Sequence, residues 1–429
     1  MNIRDSEFVM GILLERGFEK ANSAENADVI LFNSCSVRKH AEDRLFSNIS
    51  GLKDLKKKRS NIIIGLIGCT AQNYKEGVFS KVPMVDFACG SGNITDLPEI
   101  IKDVLKNRCP IVAADKVNEK RKELFPKYRN GNFKTHVSIS EGCDNFFSYC
   151  VVPYVRGRER SRRQKDIIEE VEDLANRGFR EITLLGQNVN SYRDSPLRGQ
   201  SLCRNDFVKL LENINKIDGI KRIRFMTSHP KDASPDLFKA MKNMDKVCEH
   251  LHLPLQSGST RILQLMNRGY TAKRYARLVD SFRKFIPHGS VTTDMIIGFP
   301  SETENDFQKT MTLMNEIKFD SAFTFKYSPR PPAKSAELKD DVLQEIKDDR
   351  LKALINLQEK ISQKRNEPLQ GKVLEILVDG RNKKSPTTLT GRTRTNKTVV
   401  FEGNKKLIGK FVDVIIESVT PHALKGRMV

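Results

Sequence analysis

Between residues 136 and 330 the chain repeats a pattern, not a sequence, and that pattern restricts its fold more than any other feature. Apolar strand candidates recur as "HVSIS" (136–140), "EITLLG" (181–186), "KRIRFM" (221–226), "CEHLHLP" (248–254), "SVTTDMIIG" (290–298) and "SAFTFKY" (321–327). Amphipathic helices lie between them, such as "KDIIEEVEDLANRG" (165–178) and "YARLVDSFRKFI" (275–286). Strands alternating with helices pair in parallel, with the helices covering the sheet. Six such units predict an open (β/α)6 barrel, a partial form of the eight-unit barrel. Polar residues fall just after each strand: Cys143, then Gln187 and Asn188, then Ser228 and His229, Gln256 and Ser257, "GFPSET" (298–303), and Arg330. Barrel enzymes build their sites on that rim, and a purely structural barrel would not need polar groups at every strand end.

The segments on either side differ. Residues 1 to about 115 read as a second α/β domain, Rossmann-like, with a helix at 5–18, a strand at 27–35, a helix at 40–58 and strands at 61–69 and 84–90. Continuous apolar strands separated by helices imply a parallel sheet covered on both faces. Cys35 and Cys69 stand at the C-terminal ends of two of them, where open α/β sheets place ligands. Residues 111–134, rich in Lys, Arg, Pro and Asn, read as a linker, and a helix at 351–367 leads out of the barrel. Residues 371–429 carry short period-2 runs with turn signals, which predict a small antiparallel β-barrel. The domains expected are thus 1–115, 133–366 and 367–429.

Charge narrows the partner. The chain has 429 residues and a formal net charge of +20, and its last 59 residues alone hold twelve Lys or Arg against five Asp or Glu. An excess of this size favours a polyanion such as RNA over a merely soluble surface. Residues 1–20 have no apolar targeting segment, and the longest apolar runs are of buried-strand length, so a cytoplasmic protein without membrane attachment is expected. Eight cysteines in such a chain do not read as a disulfide framework. Of these, Cys89 reads as packing, and Cys109, Cys203 and Cys248 as inert thiols.

Cys143 and Cys150 stand close together in "GCDNFFSYC" (142–150), which suggests a metal site with too few ligands. A cysteine at 147 would complete C-x3-C-x2-C, a set that holds three irons of a cluster and leaves the fourth open. That spacing is the signature of the radical S-adenosylmethionine (SAM) superfamily. The words around it, "SISEGCDNFFSYCVVPYVRGRERSR" (138–162), "LLGQNVNSYRD" (184–194), "LHLPLQSGSTRILQLMNRGYT" (251–271), "TDMIIGFPSETENDF" (293–307) and "FTFKYSPRP" (323–331), resemble the methylthiotransferase family. "LTGRTRTNKTVVFEG" (389–403) and "LIGKFVDVIIESV" (407–419) resemble its C-terminal TRAM domain. "RDSE" (4–7), "NSCSVR" (33–38) and "GCTAQ" (68–72) resemble its N-terminal domain. The resemblance covers nearly the whole chain and lies closest to the tRNA-modifying branch.

This resemblance implies methylthio addition at C2 of N(6)-isopentenyladenosine beside a tRNA anticodon. It implies SAM and two 4Fe–4S clusters, one on Cys143 and Cys150, the other on Cys35 and Cys69. It also implies an electron donor such as a flavodoxin or ferredoxin, and a monomeric enzyme. Two departures stand out. Phe147 occupies the position of the middle barrel cysteine, and the family's first cluster cysteine precedes a Met-Asn pair that here is Met1-Asn2. Each cluster is therefore one protein ligand short, and an upstream strand ending in Gly-Cys is expected. Gln187, Asn188, Gln256 and Ser257 are the rim groups suited to SAM. For RNA phosphate the candidates are Arg156, Arg158 and Arg160 in "RGRERSRR" (156–163), Arg330, and Arg392, Arg394 and Lys397. A solvated basic run is the bland alternative for each. A catalytically dead tRNA-binding descendant is the alternative to the enzyme; a ribosomal-protein-modifying branch fits the basic charge less well.

Overall fold

The computed structural model describes residues 1–36, 39–115, 126–194, 205–382, 385 and 387–429. Cys203 and much of the expected linker (116–125) lie outside the described residues. The chain forms two compact units: residues 1–130 with 141–160 and 330–333, and residues 131–140, 161–329 and 334–429. The cysteine loop thus belongs to the first unit, and the C-terminal β-barrel shares the second with the (β/α) strands.

In the first unit four parallel strands pair in chain order: Val29–Asn33, Ile63–Ile67, Phe87–Cys89 and Ile111–Ala113. The fourth lies in the expected linker, whose basic composition hides a three-residue apolar run. Ile63, Ile67, Phe87 and Cys89 pack on one side with the helices Asn2–Glu15 and Leu97–Asn107. Ile62, Ile64, Leu66 and Ala88 pack on the other with Leu45 and Ile49 of the helix Lys39–Ser50. Both faces are covered, as continuous apolar strands require. The single helix expected at 40–58 is two, Lys39–Ser50 and Lys53–Lys58, with a turn at Gly51-Leu52.

In the second unit the six expected strands are present and parallel. Lys134–Ser138, Glu181–Leu185 and Arg222–Phe225 form one three-stranded sheet; His250–His252, Ser290–Ile297 and Ser321–Lys326 form another. A parallel bridge between Ile223 and Val247 joins the third strand to the segment leading into the fourth. Leu251, Val291, Met295 and Ile297 are fully buried in the core shared with the helices Ala272–Phe285 and Glu304–Ile317. Each such side chain contributes about 1.5–3 kcal/mol of hydrophobic stabilisation. The Thr303–Asp306 capping box fixes the start of the second of those helices.

After the long helix Gln344–Asn366, the strands Val373–Arg381, Thr388–Thr393, Thr398–Glu402, Phe411–Val419 and Leu424–Met428 close into a barrel. It is antiparallel except where Thr398–Glu402 pairs in parallel with Leu424–Met428.

Candidate active site

In the first unit Cys35 and Cys69 each follow their strands by two residues. Gly68, at φ +86°, makes the turn into Cys69, and a Cβ there would lie 2.6 Å from Asn33 Oδ1. Cys69 is buried with Val151, Val155 and Ala333. Burial raises its thiol pKa, the neighbouring Arg156 charge lowers it, and Cys35 is near enough to raise it further.

Arg156 is the centre of this arrangement. Its Nε donates to Cys69 Sγ at 3.1 Å and its terminal nitrogen to Asp5 Oδ2 at 2.6 Å. Burial works against its charge, but Asp5, Cys69 and Glu141 together keep its guanidinium firmly protonated. Expected on an RNA-facing run, Arg156 is instead buried, because its carboxylate and thiol partners replace the water it would lose. Arg330, also expected at RNA phosphate, instead pairs its guanidinium with Glu42, and both side chains are largely buried.

The 142–150 loop is tightly made. Cys143 N–H donates to Gly157 C=O, Cys150 N–H to Phe147 C=O, and Asn145 Nδ2 to Cys143 Sγ at 3.3 Å. Gly142 permits this: a Cβ there would meet Arg158 O at 2.1 Å. The Phe147 ring stacks on Tyr149, with centroids 5.9 Å apart and planes at 14°. No group of three or more His, Cys, Asp or Glu able to hold a metal ion occurs among the described residues. Two thiols at 143 and 150, and two at 35 and 69, do not complete a three-thiolate seat at either place.

Beside this loop, Gln72, Lys75, Tyr154, Arg158 and Arg160 line a cavity of about 440 Å³ within the first unit. Arg158 pairs with Asp144 at 2.8 Å and lies 5.1 Å from the Phe146 ring centroid, yet remains nearly half exposed. Tyr154 is also exposed, edge-on to Phe146. Cations beside an aromatic ring in one concavity suit a single-stranded nucleic acid. Lys75 and Tyr154 were not expected from the sequence; a lone Lys after "GCTAQNY" carries no signal until the helix Val152–Arg156 packs beside it.

In the second unit the rim groups divide. Asn188 is buried, its Nδ2 donating to Ser191 and Asp232 while its Oδ1 has no hydrogen-bond partner. Ser257 is wholly buried, its hydroxyl facing Thr310 and accepting from Ser259 N–H. Ser257 thus holds the rim rather than facing a ligand. Gln256, at φ +74°, pairs through its backbone with Asp294 and Ile296, while its buried Oε1 has no hydrogen-bond partner. Gln187 is half-buried. Asn188 and Gln256 therefore each offer a buried acceptor to a ligand donor.

Strand starts tell a different story. Arg222, fully buried, donates to Arg392 O and to Glu375, and stacks 4.8 Å from the Phe411 centroid. Arg224 donates to Glu181 Oε2 (2.9 Å), Arg394 O (2.9 Å) and Thr393 O (2.7 Å). Arg394 grips Glu249 through two nitrogens, and Lys397 Nζ binds Asp320 at 2.9 Å and Asn366 at 2.8 Å. Arg394 and Lys397, expected to face phosphate, therefore latch the C-terminal barrel to the N-terminal ends of the (β/α) strands. Carboxylates within the same unit outcompete solvent for them. Arg392 differs, being 43% exposed with Asp379 3.7 Å away. Cys248, between these charges, has its thiol pKa pushed up to about 11 by burial, which fits an inert thiol.

Comparison with known proteins matches the Radical SAM superfamily over residues 137–314, the uncharacterized protein family UPF0004 over 1–90 and the TRAM domain over 368–429. Proteins named tRNA-2-methylthio-N(6)-dimethylallyladenosine synthase are similar along the entire chain. That of Thermoanaerobacter sp. (strain X514) is 45% identical over 432 residues, covering 100% of this chain and 90% of the relative. That of Carboxydothermus hydrogenoformans is 44% identical over 431 residues, covering 100% and 97%. Among solved structures, the radical S-adenosylmethionine methyltransferase TsrM from Kitasatospora setae superposes with a TM-score of 0.56 at 12% identity, over 78% of this chain and 72% of that one. It shares the fold.

Proposed function

The chain belongs to the tRNA-2-methylthio-N(6)-dimethylallyladenosine synthases of the radical SAM superfamily, and from that membership we propose how its residues serve the reaction. The reaction is methylthio addition at C2 of the prenylated adenosine next to a tRNA anticodon. The observation that carries it is identity of 45% along the full length, with the three family matches in order. An iron–sulfur cluster and SAM are the cofactors this family implies. Two clusters, with Cys143 and Cys150 at one and Cys35 and Cys69 at the other, are our assignment for this chain. Arg156 holds the Cys69 thiol from one side and Asp5 from the other, so it orients a ligand instead of touching RNA. Gln187, Asn188 and Gln256 are assigned to SAM. A flavodoxin or ferredoxin as electron donor, a monomeric state and a cytoplasmic location complete the proposal.

For tRNA, the basic cavity of the first unit is the best-supported contact. Its Lys75, Arg158 and Arg160 supply charge and its Tyr154 a stacking face. Replacing the three cations with alanine is expected to weaken tRNA binding. It should also lower the slope of log affinity against log salt by about one unit for each phosphate left without its cation. The same exchanges at Arg394 and Lys397 should leave the slope unchanged, because those cations are largely buried against protein carboxylates, whereas Arg158 stays nearly half exposed beside Asp144. Titrations from low to high salt decide between the two sets.

The reaction itself is tested by nucleoside analysis of tRNA from cells lacking their own enzyme of this family. The protein carries Phe147→Cys and, ahead of Met1, an added segment ending in Gly-Cys, so that both cysteine sets offer three thiolates. Appearance of the 2-methylthio nucleoside is the expected result. Accumulation of the prenylated nucleoside alone, with the protein present and folded, would overturn the assignment.

A further inference from the structure

The fourth, fifth and sixth barrel strands carry a face that none of the assignments above uses. Partners in parallel register point the same way, so His252, Thr292 and Ser321 share one face with the adjacent Asp294–Phe323 pair. The opposite face, with Leu251, Val291 and Met295, is fully buried under the helices. The first face is therefore the concave one. Its lower part is closed off: Thr292 Oγ1 bonds both His250 Nε2 and His252 Nδ1 at 2.9 Å, and burial holds the His250 imidazole neutral, its pKa pushed down to about 3.

Above that pair the face changes character. Phe323 is 49% exposed, a large ring left open beside the polar His252 and Asp294. The His252 ring meets it at 68° with centroids 6.1 Å apart, so the two form a corner and not a closed stack. Asp294, beside Phe323 in register, presents a partly exposed carboxylate 3.5 Å from His252 Nε2. Ile296, half-buried on the same face, adds apolar surface one step further along. An aromatic ring, an acceptor-only carboxylate and an aliphatic neighbour are complementary to a flat heterocycle with an N–H on one edge and an apolar substituent.

We propose that Phe323, Asp294 and Ile296 form the seat of the N(6)-dimethylallyl-adenine base of tRNA, a proposal that rests on the function assigned above. The purine stacks on Phe323, its single remaining N6–H donates to Asp294, and the prenyl branch lies over Ile296. Held by that edge, the ring leaves C2, across N1 from C6, turned away from the carboxylate. Adenine is also part of SAM, so the same chemistry has a second source, and the test must separate the two.

The test uses the full chain and two anticodon stem-loop hairpins, one with N(6)-dimethylallyladenosine and one with adenosine beside the anticodon. Binding of both, and of SAM, is measured for the unmodified protein and for Ile296→Ala, Phe323→Ala, Phe323→Tyr and Asp294→Asn. The unmodified protein should prefer the prenylated hairpin. Ile296→Ala should remove much of that preference, and Phe323→Ala should weaken binding of the prenylated hairpin by about 5- to 160-fold, the range of one base–aromatic stack. Phe323→Tyr should restore most of it, and SAM affinity should hold. Affinity for the prenylated hairpin that survives Phe323→Ala, or a loss of SAM affinity in its place, overturns the seat and leaves the function standing. Binding of neither hairpin by the unmodified protein overturns the function and the seat together.

Discussion

Replacing Phe147 with cysteine is expected to raise the iron held after anaerobic reconstitution by about four atoms per chain, with a matching gain in visible absorbance. The backbone is ready for the change. Phe147 C=O already accepts Cys150 N–H, a bond that does not depend on the side chain. Its ring lies against Tyr149 at the loop surface, so a smaller thiol leaves the fold intact. No neighbour substitutes for the missing thiolate. Asp144 is bonded to Glu159 N–H and Arg158, and Ser148 and Tyr149 offer hard oxygen donors poorly matched to iron–sulfur chemistry. Phe147→Ser separates ligation from simple loss of bulk, and it should bind no more iron than the unmodified chain. Equal iron in the unmodified and Phe147→Cys proteins would mean that the loop already finds a third ligand elsewhere.

The architecture was legible because periodicity reports it directly. Each barrel strand candidate contains the observed strand or lies within two residues of its start. The positions of Cys35, Cys69, Cys143 and Gln256 after strand ends follow from the same pattern. What the pattern could not show is which charges meet. Arg156 and Asp5 are 151 residues apart, and Arg394 and Glu249 are 145 apart. A basic run reads the same whether its partner is a phosphate or a distant carboxylate. Phe323 was hidden for a related reason. Alternation in "HLHLP" places both histidines on one face, but only the register of the fifth and sixth strands brings Asp294 beside Phe323. The fourth strand of the first unit was missed because three apolar residues amid basic ones give no period to read.

Removing the Arg224 guanidinium should cost about 3–5 kcal/mol of stability, the usual effect of breaking a buried ion pair from one side. Arg224 and Glu181 are both nearly fully buried and 2.9 Å apart. Arg224→Met keeps most of the volume but strands the Glu181 carboxylate and strips a donor from the carbonyls of Thr393 and Arg394. The urea midpoint should fall accordingly, and protease should cut the 371–429 segment at lower denaturant, since the latch of that barrel to the strand starts is weakened first. Arg158→Met, whose guanidinium is nearly half exposed, should move the midpoint little. The double change Arg224→Met with Glu181→Leu separates the two contributions. If the stranded charge dominates, the double variant should regain much of the loss, because an apolar pair of similar volume replaces the ion pair. If the carbonyl bonds dominate, it should stay as weak as Arg224→Met. An unchanged midpoint in Arg224→Met itself would show that Arg222, Arg394 and Lys397 hold the C-terminal barrel without it.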